Sequence, residues 1–222
     1  MLIQIRNLTK IYKVDSIETP ALRGINLDIE RGEFLTIAGP SGSGKTSLLN
    51  IIGGLDTLTS GAVLYENTDI TKISISRLAS FRLKQIGFVF QAYNLINTLT
   101  AVENVEYVML LQGVDVKTRR QRAVSMLERV GLGEYIKRFP NEMSGGQQQR
   151  VAVARAIAAH PKVVLADEPT ANLDSKSGEA LIGLMRQLNE EKNITFIFST
   201  HDKMVMDKAK RQVFIRDGEI QK

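Results

Sequence analysis

Residues 39–46 have the sequence of a phosphate-binding loop. The pattern G-x-x-x-x-G-K-[ST] is matched at every position by Gly39, Pro40, Ser41, Gly42, Ser43, Gly44, Lys45 and Thr46. Glycine at these positions lets backbone N–H groups close around phosphate oxygens. The lysine brings a positive charge to the β- and γ-phosphates of a nucleotide, and the Thr46 hydroxyl is a suitable ligand for Mg²⁺. The sequence therefore predicts that this loop binds a nucleotide together with Mg²⁺.

Two adjacent carboxylates predict the hydrolytic end of the same site. Asp167 and Glu168 follow the apolar run Val163–Ala166, which we interpret as a buried parallel strand. The carboxyl ends of parallel strands form the ligand edge of an open α/β sheet, so both side chains should lie near the phosphate loop. We expect Asp167 to hold Mg²⁺, directly or through water, and Glu168 to polarise the attacking water as general base.

A histidine is predicted at the same edge of the sheet. His201 follows the apolar run 194–200, which we also interpret as a strand. An imidazole there would hold the γ-phosphate or position the attacking water through hydrogen bonds. A histidine at such a position is also typical of a strand end or a helix cap, so two interpretations stay open.

The segment Ser144, Gly145, Gly146 and Gln147 also has two interpretations. The pattern S-x-x-Q is a capping box for the helix that follows. Two glycines in a first helical turn cost about 1 kcal/mol each relative to alanine, and a cap alone has no need of them. Glycine there lets an anion approach the positive end of the helix. Because the phosphate loop already holds one end of a nucleotide, this second anion site predicts contact with the γ-phosphate of a nucleotide bound by another subunit.

These candidate residues need an α/β framework to position them. Short apolar or alternating runs predict strands at Leu2–Ile5, Ile25–Ile29, Phe34–Ala38, Ala62–Tyr65, Ile86–Phe90, Val163–Ala166, Thr195–Phe198 and Val213–Arg216. From residue 91 to residue 143 the pattern changes to helices, with a capping box at 100–103 and an amphipathic segment at about 117–130. We therefore predict a single domain over residues 1–222, in which a helical subdomain at about 92–143 is inserted into an α/β core.

The composition limits the classes of function. The 222 residues include no cysteine, which excludes a disulfide framework and a thiolate metal site. No apolar run approaches the roughly 20 residues that cross a bilayer, and the first residues lack the apolar core of a signal peptide. We therefore expect any membrane role to depend on a partner. The formal charge of +5 is scattered, which favours a solvated basic surface over a nucleic-acid footprint or a face against anionic lipid.

In the order and type of these motifs, nearly the whole chain resembles the ABC (ATP-binding cassette) ATPase family. Residues 39–46 are similar to its P-loop, Ser144–Gln148 to its signature motif, and Asp167-Glu168 to its second nucleotide motif. His201 is similar to its switch histidine. The resemblance implies a P-loop NTPase core with a mainly parallel sheet, an N-terminal antiparallel β subdomain and an inserted α-helical subdomain.

Three further residues receive roles from this resemblance alone. Tyr12 lies where the family stacks an aromatic ring on adenine, and Gln91 lies where it places a glutamine that contacts Mg²⁺ and water. Asp174 belongs to the segment Asn172–Asp174, which is similar to the D-loop of the family. A purely structural tyrosine at position 12 and a helix N-cap at position 174 are the alternative interpretations.

The resemblance also implies an activity and an assembly. Members of the family convert ATP and water to ADP and phosphate with Mg²⁺ as cofactor. They work as head-to-tail dimers, which implies a homodimer on ATP binding with two ATP molecules between the P-loop of one subunit and the Ser144 helix of the other. They power separate transmembrane permease subunits, which implies a cytoplasmic position at the inner face of the cell membrane. Direct contact with nucleic acid is not expected.

Within the family, residues 52–56, 91–95 and 166–174 look most like the branch of lipoprotein-releasing, macrolide-efflux and cell-division ATPases. This likeness implies export, or translocation of a lipoprotein, peptide or drug. One alternative is a permease-like partner that transmits force to a wall enzyme. Another is a non-transport ABC ATPase acting on nucleic acid or the ribosome, which usually carries a coiled-coil insertion, a second cassette or zinc modules. A small-molecule kinase would leave Ser144–Gln148 unexplained.

Overall fold

The computed structural model describes residues 1–221, which form two β-sheets flanked by helices. The strands of the first sheet are β1 (Ile3–Val14), β2 (Ile17–Ile29), β4 (Ser60–Tyr65) and β5 (Thr68–Asp69). It is antiparallel, with the order β2-β1-β4-β5. The strands of the second sheet are β3 (Phe34–Ala38), β6 (Ile86–Val89), β7 (Val163–Asp167), β8 (Thr195–Thr200), β9 (Arg211–Arg216) and β10 (Glu219–Ile220). Its order is β10-β9-β3-β8-β7-β6, and only the edge strand β10 runs antiparallel to its neighbour.

The helices are α1 (Lys45–Ile52), α2 (Ile75–Gln85), α3 (Ala101–Leu111), α4 (Val116–Arg129), α5 (Gly145–Ala158), α6 (Ser175–Lys192) and α7 (Lys203–Lys208). Helix α3 begins at the predicted capping box, in which the Thr100 N–H donates to Glu103 Oε2 at 2.8 Å. Helix α4 agrees within one residue at each end with the predicted segment 117–130. Within residues 1–221, no helix is long and apolar enough to cross a lipid bilayer.

The central strands of the second sheet are buried because other elements cover both faces. Every residue of β3 and β8 is buried. On one face, Phe34 packs against Phe196 and Phe198 in a cluster with α3–α6, with ring centroids 5.7 and 4.7 Å apart. On the other face, α1 and the antiparallel sheet form a second apolar cluster. Because Asp167 pairs with Ser199, the carboxyl ends of β7 and β8 lie side by side.

The structure has the predicted fold class, and it differs from the sequence prediction mainly in the first sheet. The predicted strand Leu2–Ile5 is only the beginning of β1, which continues to Val14 and forms a long hairpin with β2. The register shifts between Ile5 and Leu8 and again before Lys10, which breaks the two-residue alternation on which a strand prediction depends. Helix α2 was not predicted; none of its residues is fully buried, and Leu78 and Phe81 pack against the second apolar cluster only in part.

Candidate active site

The phosphate loop connects β3 to α1 and is shaped around the Lys45 side chain. Lys45 is buried, and its Nζ donates to the carbonyl oxygens of Gly39 and Pro40, each at 2.8 Å. Gly44 is the N-cap of α1 with a φ of 103°. A Cβ at Gly44 would lie 2.5 Å from the Ala21 carbonyl oxygen, so both the backbone conformation and the close approach require glycine.

The first residues of α1 meet the end of β7. Thr46 Oγ1 lies 3.1 and 3.3 Å from the two carboxylate oxygens of Asp167. Strand β8 separates β3 from β7 in the sheet, so this contact depends on the path of the loop above β8. The result is a group of hydroxyl and carboxylate oxygens at the carboxyl edge of the sheet.

The next carboxylate is held from two sides. Glu168 Oε2 accepts a hydrogen bond from Thr200 Oγ1 at 3.1 Å, and Glu168 Oε1 lies 2.7 Å from His201 Nδ1. Glu168 has a φ of 44°, in the left-handed region that non-glycine residues seldom adopt. Its N–H donates to the Ser199 carbonyl oxygen at 2.9 Å, which helps to hold this conformation. The backbone therefore turns the Glu168 side chain toward the end of β8.

These elements enclose a cavity of about 390 Å³, here called the P-loop cavity. The predicted residues that line it are Ser41, Gly42, Gly44, Lys45, Thr46, Gln91, Glu168 and His201. Ala21, Ser47 and Ala171 also line it and were not predicted. Ala21 lies on β2, and an alanine in a strand gives no signal of a binding site. Four other predicted residues lie next to lining residues. Gly39 and Pro40 accept hydrogen bonds from Lys45, and Asp167 contacts Thr46. Ser43 lies between Gly42 and Gly44 in the chain.

Tyr12 lies on β1, and Ser47 connects it to the P-loop cavity. The Tyr12 hydroxyl donates to Asp56 Oδ2 at 2.8 Å and lies 3.2 Å from Ser47 Oγ. Lys10 Nζ lies 4.5 Å from the centroid of the Tyr12 ring and donates to Asp56 Oδ1 at 2.8 Å. Partial burial alone would raise the pKa of Asp56, but hydrogen bonds from Lys10 and Tyr12 lower it. Lys10 and Asp56 were not predicted as site residues. Asp56 is 44 positions from Tyr12 in the sequence, and only the fold brings its carboxylate to the Tyr12 hydroxyl.

The remaining predicted residues lie at the N-termini of α5 and α6, and both N-termini are capped. Ser144 Oγ accepts from the Gln147 N–H at 3.3 Å, and Gln147 Oε1 accepts from the Ser144 N–H at 2.9 Å, so the capping box is present. Asp174 Oδ1 accepts from the Ser177 N–H at 3.0 Å and caps α6. The capping interpretations are therefore confirmed, and the additional roles of these residues toward a nucleotide stay predictions.

Comparison with known proteins gives the family of the chain. Residues 22–171 match the family described as ABC transporter. An uncharacterized ABC transporter ATP-binding protein of Methanocaldococcus jannaschii is 50% identical over 219 residues, 99% of this chain and 97% of that protein. The lipoprotein-releasing system ATP-binding protein LolD of Syntrophus aciditrophicus is 43% identical over 219 residues, 99% of this chain and 98% of that protein.

Comparison with a solved structure also supports this family, because the two folds agree over the whole chain. The ATP-binding cassette MJ0796 was solved as a dimer in a post-hydrolysis state bound to ADP and Pi. A protein of Methanocaldococcus jannaschii has the same name. The structures superpose with a TM-score of 0.93 at 43% identity, covering 100% of this chain and 97% of that one. The chain therefore belongs to the ABC transporter family, as an ATP-binding subunit that hydrolyses ATP.

Proposed function

We propose that two copies of this chain hold two ATP molecules between them, each bound by the P-loop cavity of one copy and by the N-terminus of α5 of the other. One observation carries this proposal. Among residues 1–221, the P-loop cavity is lined by Lys45 and Glu168 but by none of residues 144–147. A phosphate site at the start of α5 would therefore serve a nucleotide held by another copy. The dimeric state of the related cassette MJ0796 supports this arrangement.

Lys45 and the start of α1 would bind the phosphates. An ammonium group has three N–H donors, and the carbonyl oxygens of Gly39 and Pro40 accept two of them. The third donor is left for an oxygen of the β- or γ-phosphate. The first N–H groups of α1 and the positive end of its dipole add to the attraction.

The oxygen atoms around Thr46 fit a magnesium ion. Thr46 Oγ1 lies within 3.3 Å of both carboxylate oxygens of Asp167, and hydroxyl and carboxylate oxygens are ligands that Mg²⁺ accepts. Thr46 and Asp167 would hold the ion together with Gln91, which lines the same cavity. When bound, Mg²⁺ neutralises part of the charge on the β- and γ-phosphates.

Glu168 would act as the general base. Its carboxylate has about four lone-pair sites, and the contacts with Thr200 and His201 use two of them, so it keeps the capacity to accept a proton from water. A neutral His201 that donates from Nδ1 to Glu168 presents Nε2 as an acceptor, which can orient the attacking water. A protonated ring would donate from Nε2 and could bind the γ-phosphate instead.

Tyr12 and Asp174 would contact the nucleotide outside the phosphate region. Lys10 Nζ lies over one face of the Tyr12 ring, and the residue is 38% exposed, so the ring would stack on adenine with its other face. Asp174 is exposed at the start of α6, where its carboxylate would lie close to the nucleotide across the dimer.

The proposed permease contact is a groove of about 610 Å³ between α2, β6, α3 and α5. Its walls are mainly apolar and include Leu83, Phe88 and Tyr107. Arg82 and Arg155 also line it, and no acidic residue of the described chain does. ABC cassettes act with transmembrane permeases, so the occupant we propose is an apolar segment of the permease that carries a carboxylate. This would place the chain at the inner face of the cell membrane.

We propose that the permease exports a substrate or translocates a lipoprotein, peptide or drug. The full-length similarity to a lipoprotein-releasing ATP-binding protein supports this class of cargo. No contact with nucleic acid is part of this proposal.

The experiment that tests the shared site is sizing chromatography with ATP and Mg²⁺. We expect Glu168→Gln to elute as a dimer that retains ATP, because binding survives while water activation fails. Adding Ser144→Arg should leave a monomer that still binds ATP, since a long cation then blocks the partner's nucleotide. Adding Ser76→Arg, which places the same side chain on exposed α2, is the matched control and should preserve the dimer. A dimer with Ser144→Arg, or a monomer with Glu168→Gln alone, would contradict the proposal.

A further inference from the structure

The first residue of α5 touches a tyrosine from a distant part of the chain. A Cβ built on Gly145 would lie 2.7 Å from Tyr93 Oη, 3.6 Å from Tyr93 Cζ and 3.8 Å from the Asn172 carbonyl oxygen. The first of these distances is too short for real atoms. A side chain at residue 145 would therefore displace the Tyr93 hydroxyl, a neighbour in its own chain, whatever approaches this turn from outside.

The next glycine does not have such a neighbour. A Cβ on Gly146 would meet only Leu173 Cδ2 at 3.8 Å and atoms of Ser177 at 3.9 Å, which are ordinary van der Waals contacts. The two glycines of this turn are thus distinguished by the contact with Tyr93. This difference provides an internal control for any experiment on the turn.

The position of Tyr93 is fixed by helix α5 itself. Tyr93 and Asn94 have φ values of 60° and 49°, an uncommon backbone conformation for non-glycine residues. The Arg155 side chain holds this backbone conformation. It donates from Nη2 to the Tyr93 carbonyl oxygen at 2.9 Å and from Nη1 to the Asn94 carbonyl oxygen. Arg155 is ten residues after Gly145, or about 15 Å along the helix. The backbone of residue 93 is therefore held by the later turns of α5, and its side chain reaches the first turn.

Two more hydrogen bonds hold the segment before Tyr93. Asn172 Nδ2 donates to the Gln91 carbonyl oxygen at 2.9 Å. The fully buried Gln149 of α5 donates from Nε2 to the Pro169 carbonyl oxygen at 2.8 Å and approaches the Phe90 carbonyl oxygen at 3.4 Å. The backbone on both sides of Tyr93 is therefore held at several points beside the first turn of α5.

We propose that Tyr93 is a positioning residue for the reaction. The ring of Tyr93 sets the place of the first turn of α5, and with it the direction in which Ser144 and the N–H groups of that turn face the nucleotide of the partner subunit. Arg155 and Asn94 line the groove that we assign to the permease, so Tyr93 lies between that groove and the shared nucleotide site. The inference rests on the proposed function, in which the start of α5 contacts nucleotide across a dimer.

A double-mutant cycle tests this role through kcat for ATP hydrolysis and the Kd of ATP for the monomer. We expect Gly145→Ala to lower kcat by about tenfold or more, with the monomer Kd unchanged, because the P-loop cavity is separate. Adding Tyr93→Phe should restore most of the lost rate. The nearest atom to the new Cβ would then be Cζ at 3.6 Å, an ordinary contact. Tyr93→Phe should not restore any rate that Gly146→Ala loses.

Full activity of Gly145→Ala would overturn the proposal, as would a loss of rate that Tyr93→Phe does not rescue. Tyr93→Leu gives a second test that leaves both glycines in place. It should lower kcat while the monomer Kd and the melting temperature stay unchanged, and an unaltered kcat would count against a positioning role. Failure of the proposed function would look different, because Ser144→Arg would then also hydrolyse ATP at the normal rate.

Discussion

The P-loop cavity and the first turn of α5 are both predicted to bind phosphate, yet they differ in how complete they are within one chain. In the cavity, Thr46 meets Asp167 and Glu168 meets His201, so the chemistry-bearing side chains already contact one another. At α5, Ser144 and Gln147 satisfy only each other, in a capping box. The side chains of the cavity are therefore assembled within one chain, while the turn, in the proposed function, contacts a nucleotide held by the partner subunit. We expect substitutions in the first region to abolish chemistry or binding, and those in the second to separate binding from turnover.

The largest effect is expected from the general base. Glu168→Gln should lower kcat by about 10²- to 10⁴-fold, because an amide of the same size cannot accept the proton of the attacking water. The Kd of ATP for the monomer should change little, since the phosphates are held by the loop. Phosphate release and equilibrium titration with a fluorescent ATP analogue measure the two quantities. A rate within a few-fold of the unmodified chain would remove Glu168 from this role.

The next effect concerns binding in the same region. Lys45→Ala removes a buried cation with one N–H left for the phosphates, and we expect ATP affinity to fall by about 10- to 100-fold, as for the loss of a hydrogen bond to a charged group. Lys117→Ala is the control, since that lysine is exposed near the start of α4. Equal affinity of the two variants would show that Lys45 only fills its own loop.

A smaller effect is expected where the first sheet meets the cavity. Asp56→Asn removes the ion-pair partner of Lys10, whose side chain is only 9% exposed. It also weakens the hydrogen bond that orients the Tyr12 ring. We expect KM for ATP to rise by about twofold to tenfold with kcat unchanged, because one hydrogen-bond network is weakened and the phosphates are untouched. Asp207→Asn on exposed α7 should leave KM unaltered. If KM stays constant in Asp56→Asn, the stacking role of Tyr12 loses its support.

The smallest effect is expected from the helix caps, and it tests whether the first turn of α5 has a role beyond capping. Ser144→Ala and Thr100→Ala each remove the cap of one helix, α5 or α3, and each should reduce the free energy of unfolding by about 1 kcal/mol in urea denaturation. If Ser144 also faces a nucleotide, only Ser144→Ala should lower kcat as well. Equal turnover of the two variants would reduce the role of Ser144 to capping.

The parts that were predictable are those that depend on local chemistry. The phosphate loop, the carboxylates at the end of β7 and the capping boxes of α3 and α5 each occupy a few consecutive residues, whose spacing already satisfies the geometric requirement. Strands β3, β7 and β8 were predictable because burial on both faces demands a continuous apolar run. The length of β1 was not, since its register shifts interrupt the alternation.

The contacts that only tertiary structure decided join residues with no common pattern. Asp56 has no local feature that relates it to Tyr12, and Ala21 has no polar group to suggest that it lines a nucleotide cavity. The sequence alone leaves Gly145 with an anion as the reason for its missing side chain, whereas the fold places Tyr93 Oη in that space. The sequence by itself therefore determined which phosphate chemistry is present and which strands carry it, because these are properties of short segments. The folded chain decided which distant side chains orient that chemistry, because their contacts arise only when separate elements pack together.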